Sequence, residues 1–346
     1  MISFCTVVYA KEIALLKLQA RSFARFAPES LVGEILIAIN DRNERRTQRM
    51  VQDILPEFGR HQSKVRILTC TDVFQWPSER RSFQDRVRRA KVVFPPLRGT
   101  RLDFGWKGNR GWTVQQALKI ALADYVRFPF TVILDAKNIW VDDISRETFV
   151  TADNRARMNM ISRNVGLFKK WFPASARLIA PDLDNSEVET ATTYLTPYVI
   201  RSDILAGVNE RLKDREGSAL EAILLTRPHP TEFFMISAYV IDTFGSLEAV
   251  FCDGLDGQMA FFRSAESAKI DQVLADLENG GGFTLALHAM SLAQMNPQQE
   301  TRLARALLAL DLVETREEFL GICADLKRNF RLQIFEKRLT EWRRKK

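Results

Sequence analysis

The run Phe130-Thr-Val-Ile-Leu-Asp135-Ala-Lys137-Asn138 passes from five apolar or β-branched residues into a carboxylate, a cation and an amide. A buried strand that ends in this way delivers polar side chains to the carboxyl edge of a sheet, where open α/β folds bind ligands. Upstream, Gly111-Trp112 and the amide pair Gln115-Gln116 sit on the segment that leads into the strand. Strand and helix together read as half of a nucleotide site. Alternation along an extended chain sets Asp135 and Lys137 on one side. There they form an ordinary salt bridge, or Lys137 stands as a fixed cation for phosphate.

The elements that must hold these residues alternate strand and helix. Residues 2–8 read as strand, 11–26 as an amphipathic helix closed by Pro28, and 34–40 as a second strand. A charged helix over 42–55 is stopped by Pro56, and 65–69 make a third strand. Over 112–126, Val114, Ala117, Leu118, Ala121, Leu122 and Tyr125 follow the 3.6-residue period, with Gln115, Gln116 and Lys119 on the other face. Successive βα units predict a mixed α/β fold, with a mainly parallel sheet flanked by helices on both faces.

The second half is less regular. Residues 154–184 resist assignment, and 196–210 turn into a helix. Thr231-Glu232 opens a helix that runs to Phe244, while 248–252 and 283–287 read as strands. From Pro297 the chain is helical and charged, so the expected division is a domain over 1–295 and a helical C-terminal extension over 296–346.

Composition narrows the classes. A chain of 346 residues, 46% hydrophobic and 27% charged, can bury a substantial core. No run approaches the roughly 18 apolar residues of a membrane span, and the opening strand lacks the layout of a signal peptide. Cys5, Cys70, Cys252 and Cys323 are widely spaced, which suits buried thiols in a reducing cytoplasm. Three histidines and no CxxC argue against a structural zinc site. A net charge of +7 favours an anionic partner.

The order of these motifs, from residues 2–8 and Ile35-Leu-Ile-Ala-Ile-Asn40-Asp41 through Gly111-Trp112 and Val132-Ile-Leu-Asp135 to Thr231-Glu232-Phe233 and Leu287-His288, resembles a family of bacterial GT-A-type glycosyltransferase-like proteins (DUF6492-like). The resemblance covers roughly residues 1–295. It implies a GT-A-like fold, a nucleotide-diphosphate sugar as donor, and a glycan or other hydroxyl as acceptor, with a role in surface polysaccharide synthesis. It also implies Mn²⁺ or Mg²⁺ held by a DxD motif, since a departing diphosphate builds up negative charge. Asp135 matches the first acid, but Lys137 stands where the second belongs and cannot ligate an ion while protonated. Metal dependence is therefore in question. In one reading Asp135, Asn138 and His288 still hold the ion, and in the other Lys137 takes over part of its task.

Further site residues follow from the same frame. The glycine-bearing basic stretch with Arg101, Lys107 and Arg110 suits a loop folding over a pyrophosphate, or a solvated loop. Arg80, Arg81, Arg86, Arg88, Arg89 and Lys91 form a denser run that reads as a solvated helix face. Tyr9 would stack on a base and Asn40 or Asp41 bond base or ribose, although Asp41 is equally placed to cap a helix. Trp112, Gln115 and Gln116 are donor-site candidates as a group. Inverting transfer needs a carboxylate base. Glu232 is the first choice, its other role being a first-turn acid, and Asp253 and Asp256 are reserves.

The tail after residue 327 mixes aromatics with cations. It packs on the domain or lies on a lipid surface, which would place the protein in the cytoplasm or peripherally on the inner face of the membrane, near a lipid-linked acceptor. Two other functions compete: a non-catalytic nucleotide- or glycan-binding relative, and a basic nucleic-acid-binding protein. No DNA or RNA motif supports the last, so no nucleic-acid partner is expected.

Overall fold

All seven side chains of β1 (Ile2–Val8) are buried. Position explains this, because β1 lies between β2 (Val32–Ile39) and β4 (Phe130–Asp135), parallel to both. A strand paired on both edges and covered on both faces loses the alternation of a half-exposed strand and reads as a continuous apolar run. With β3 (Val65–Thr69) and β9 (Tyr198–Arg201), the sheet order is β3-β2-β1-β4-β9, parallel except for β9. The computed structural model describes residues 1–41, 43–74, 111–166, 168–217, 219, 222–223, 226, 230–262, 266–331 and 334–335.

The helices of the first half fall near their expected places. They are α1 (Ile13–Phe26), α2 (Glu44–Asp53) and α3 (Gly111–Ala121). α2 is shorter than its charged pattern suggests, because Asn43 takes the N-cap and accepts from the Arg46 N–H. α3 gives way at Leu122–Asp124 to a tighter 3₁₀ turn.

The strand β5 (Asn138–Trp140) leaves the main sheet two residues after β4 ends. It joins a second sheet with β12 (Thr284–Leu287) and β11 (Gln258–Phe261). What locks the two sheets together is aromatic: Phe4 on β1, Phe23 on α1 and Trp140 on β5 meet edge to face, with centroids 5.0 to 6.0 Å apart. The turn between β4 and β5 is thereby fixed from both sides.

The irregular middle resolves into short pieces. Residues 154–184 contain β6 (Ala156–Met158), β7 (Met160–Ser162) and the helix α4 (Phe168–Ile179). β6 pairs with β10 (Phe251–Asp253), and β7 with β8 (Thr190–Thr192). The expectation of a simple turn into a helix over 196–210 is corrected, for β9 comes first and α5 (Ser202–Glu216) follows it. Four residues are too few to show a period, and the strand is secured tertiarily, Tyr198 stacking on Phe233 at 4.1 Å. The strand expected over 248–252 is likewise a 3₁₀ turn, Leu247–Ala249, before the shorter β10. Phe233 belongs to α6 (Glu232–Phe244), which packs along α4.

The C-terminal half closes with α7 (Ser267–Glu278), α8 (Pro297–Ala309) and α9 (Arg316–Asn329). Among the described residues no helix is long and apolar enough to cross a membrane. Much of the basic tail, including Leu339 and Trp342, lies outside the described residues.

An ion network fastens α9 to α1. The Arg21 guanidinium is only 10% exposed and reaches Glu57, Glu314 and Glu318 at 2.7, 3.0 and 2.9 Å. Lys17 adds a second bond to Glu318 at 3.0 Å. Burial works against the Glu318 charge, but hydrogen bonds from Arg21, the Glu314 amide and Lys17 prevail and bring its pKa from 4.5 down to about 2. A carboxylate depressed in the folded state contributes stability above its unfolded value and loses it as pH falls through the folded one. Arg21→Met is therefore expected to cost about 2–3 kcal/mol at pH 7 in urea denaturation. The difference from the wild type should shrink between pH 5 and pH 2, whereas a gap independent of pH would contradict the network's role.

Candidate functional site

Parallel strands in register share one carboxyl edge. Val8 pairs with Ile39 and Val7 with Asp135, so Tyr9, Asn40 and the Asp135–Lys137 turn emerge side by side. α3 faces this edge with Trp112, Gln115, Gln116 and Lys119, whose spacing of three, four and seven residues makes one helical stripe. The stripe rises about 10 Å from Trp112 to Lys119. With the start of α6 it encloses a cavity of about 490 Å³.

Asp135 is the hub of the cavity. Its Oδ1 lies 2.9 Å from Lys119 Nζ and accepts from Gln115 Nε2 at 2.8 Å. Its Oδ2 lies 2.6 Å from Lys137 Nζ and accepts from Thr196 Oγ1 at 3.3 Å. Lys119, 4% exposed, also meets Glu232 Oε1 at 3.0 Å and stands 5.0 Å from the centroid of the Phe233 ring. Burial alone would raise the Asp135 pKa, but the two ammoniums more than reverse it and hold the carboxylate ionised. Burial likewise opposes the Lys119 charge, and Asp135 with Glu232 outweighs it. At Glu232 burial wins over Lys119, and its pKa is raised.

The turn is held from below. The Asp135 N–H donates to Asn138 Oδ1 at 2.8 Å, and Asn138 Nδ2 donates to the Thr196 carbonyl at 2.8 Å. Gln19, buried on the inward face of α1, donates to the carbonyls of Asp135 and Asn138 at 2.9 and 2.7 Å. Its own Oε1 accepts from Thr6 on β1. Sequence reasoning passed over Gln19, and the signal available was an amide at an apolar helical position.

A divalent cation does not fit this donor set. Both Asp135 oxygens already accept from ammonium, amide or hydroxyl groups, and the Asn138 oxygen is engaged by the backbone. His288 lines the cavity, but its Nδ1 accepts from the Met290 N–H as the N-cap of the turn Ala289–Leu292. An ion at Asp135 would sit against two ammoniums, where hard cations need several anionic or carbonyl oxygens. The positive charge against Asp135 among the described residues is that of Lys119 and Lys137.

The other expected residues divide clearly. Tyr9, Asn40, Trp112, Gln115, Gln116, Lys137 and Glu232 line the cavity with Asp135. Asn40 donates through Nδ2 to the Gly111 carbonyl at 2.8 Å, and its buried Oδ1 has no hydrogen-bond partner among the described residues. Asp41 does not line the cavity: it accepts from the N–H groups of Ala10 and Asn43, both at 2.9 Å, and shapes the loops there. Asp253 accepts from the Met160 and Gly254 amides at a turn, and neither it nor Asp256 lines the cavity. Arg101, Lys107, Arg110 and the run from Arg80 to Lys91 lie outside the described residues.

The cavity also contains groups that the sequence did not single out. Trp171 packs beside Trp112 with ring centroids 6.1 Å apart, and Phe168 links Trp171 to Tyr194 at 6.1 and 4.9 Å. Trp112 and Tyr194 are 46% and 41% exposed, so an open aromatic wall borders a polar floor. Glu12, one turn beyond Tyr9, lines the cavity as well.

Among solved structures, the chain is similar to the galactosyltransferase LgtC in complex with donor and acceptor sugar analogues, at 8% identity over 93% of this chain and 95% of that one, with a TM-score of 0.42. It is similar to mouse xyloside xylosyltransferase 1 at 12% identity over 83% and 97%, with a TM-score of 0.40. For the bifunctional glycosyltransferase WbbM the values are 10%, 97% and 51%, with a TM-score of 0.40. Overlaps this loose decide nothing about chemistry, and the architecture rests on the sheet described above. No curated protein sequence matches the chain. A family pattern does match, over residues 2–267, and the chain belongs to that family, DUF6492, a family of unknown function.

Proposed function

We propose that this protein transfers a sugar from a nucleotide-diphosphate donor to a hydroxyl acceptor on a glycan or lipid-linked glycan, without a divalent ion. One observation carries the reading: a cavity at the carboxyl edge of a parallel sheet contains a lysine pair fixed around Asp135. Such an edge is where open α/β folds place ligands. The chemistry of transfer needs positive charge where the bond to the departing diphosphate breaks. Lys137, 28% exposed, uses one of its three donors on Asp135 and has others for phosphoryl oxygens. Asp135 is then a positioning residue, holding Lys137 in place before any ligand arrives. Lys119 keeps Asp135 ionised from the buried side.

The rest of the cavity suits a sugar nucleotide. Trp112, Trp171 and Tyr194 offer flat apolar faces to a base or sugar ring, and the amides of Gln115 and Gln116 lie one turn deeper on α3. Glu232 is the acceptor-side base in this reading, since it lines the cavity and burial raises its pKa in the direction that proton abstraction requires. A non-catalytic binding protein would share the same cavity, and turnover separates the two.

Thermal shift against nucleoside diphosphates and sugar nucleotides tests the reading. One nucleotide class should stabilise the protein, and no response to any of them would end the proposal. Lys137→Ala should weaken that nucleotide about 10- to 100-fold in calorimetry, the effect of one charge-assisted hydrogen bond. If Lys137 only pairs with Asp135, stability alone will change. Lys119→Met should instead cost about 3–5 kcal/mol in urea denaturation, because it leaves two carboxylates buried without their shared cation. A loss under 1 kcal/mol would contradict the assigned role of Lys119.

A further inference from the structure

The charges on the cavity's described residues do not balance. Among its described lining residues, Lys119 and Lys137 offset Asp135 and Glu232, which leaves Glu12 as a surplus carboxyl. Glu12 is half-buried and occupies the N-cap of α1, yet its side chain makes no cap hydrogen bond. Among the described residues it has no ion-pair partner either. An ionised Glu12 would give these described lining residues a net negative charge, which opposes an entering anion.

We propose that Glu12 binds the anionic ligand as a neutral carboxylic acid, donating its O–H to a phosphoryl oxygen of a diphosphate. The proton comes from solvent: Glu12 carboxylate gains H⁺ as the anion enters, and no covalent bond of the ligand changes. The inference rests on the reading of the cavity as a diphosphate site and adds the residue that makes this site selective for anions.

The surroundings favour the protonated form. Burial, opposed by Lys137, reinforced by Asp135 and opposed again by Lys119, pushes the Glu12 pKa from 4.5 up to about 7. Among the described residues, the charged and titratable groups that face it are Lys137 and Asp135 at the β4–β5 turn, Lys119 on α3 and Tyr9 after β1, with Glu232 on α6 and His288 after β12 lining the same cavity. Lys11, its near neighbour in sequence, is turned toward Phe330 and the Asn329 carbonyl. A bound diphosphate adds negative charge beside the carboxyl and raises its pKa further. Binding and protonation are thus linked, so affinity is full below pH 7 and falls above it.

Calorimetry with inorganic pyrophosphate and with UDP, GDP and dTDP, at pH 6 and pH 8, decides the matter for the wild type, Glu12→Gln and Glu12→Ala. The wild type should lose close to tenfold in affinity between the two pH values beyond the ligand's own titration. Binding at pH 8 should draw nearly one proton, read from two buffers of different ionisation enthalpy. Glu12→Gln keeps a donor and has no charge, so it should bind at pH 8 as the wild type does at pH 6. Glu12→Ala should be pH-independent and weaker than Glu12→Gln.

Equal pH dependence in the wild type and Glu12→Gln, or no pyrophosphate binding at either pH, would overturn the inference. Pyrophosphate binding with proton uptake, but no nucleoside diphosphate binding, would retain Glu12 and reject the sugar-nucleotide reading. Nucleotide binding indifferent to Glu12 would do the reverse.

Discussion

Taking a carboxylate out of water costs several kcal/mol unless cations and donors replace the lost hydration, and Asp135 meets that cost with four donors from three separate segments. Lys119 and Gln115 come from α3, Lys137 from the β4–β5 turn, and Thr196 from the approach to β9. Lys119 carries the same obligation on to Glu232, so the start of α6 is bound into the cluster. The edge of the sheet, the face of α3 and the position of α6 are therefore one electrostatic arrangement. Deleting Lys119 leaves two buried carboxylates without their shared cation.

Support for the cluster comes from apolar packing behind it. Phe4, Phe23 and Trp140 join the two sheets, and Gln19 spans the carbonyls of the turn that both sheets share. Trp112, Trp171 and Tyr194 add an aromatic wall to the same cavity. A polar floor with a flat apolar wall is what a ligand made of phosphate, sugar and base requires, each part meeting its own kind of surface.

The parallel core and its loaded edge were legible in sequence, because long buried strands and an amphipathic helix have unmistakable periods. Asp135 and Lys137 stand out where an apolar strand turns polar, and Trp112, Gln115 and Gln116 as an aromatic and two amides at the start of an otherwise apolar helix. The pair of Asp135 with Lys137 was read correctly as two residues on one side, although a turn rather than strand alternation brings them together. Lys119 was visible on the polar face of α3 but not as the centre of the site, since Glu232 lies 113 residues away and no local pattern reports such a pairing. Glu12 looked like any acid at a helix start. Its distinction is that it has no ion-pair partner among the described residues, and that is a property of the folded surroundings alone.

In the proposed reading, lysine rather than a divalent ion supplies the positive charge at this edge. Calorimetric affinity for the nucleoside diphosphate that stabilises the protein, measured in excess chelator and again with Mn²⁺ at pH 6, tests it directly. The affinity should be the same in both conditions. Binding that requires Mn²⁺ and disappears in chelator would contradict it.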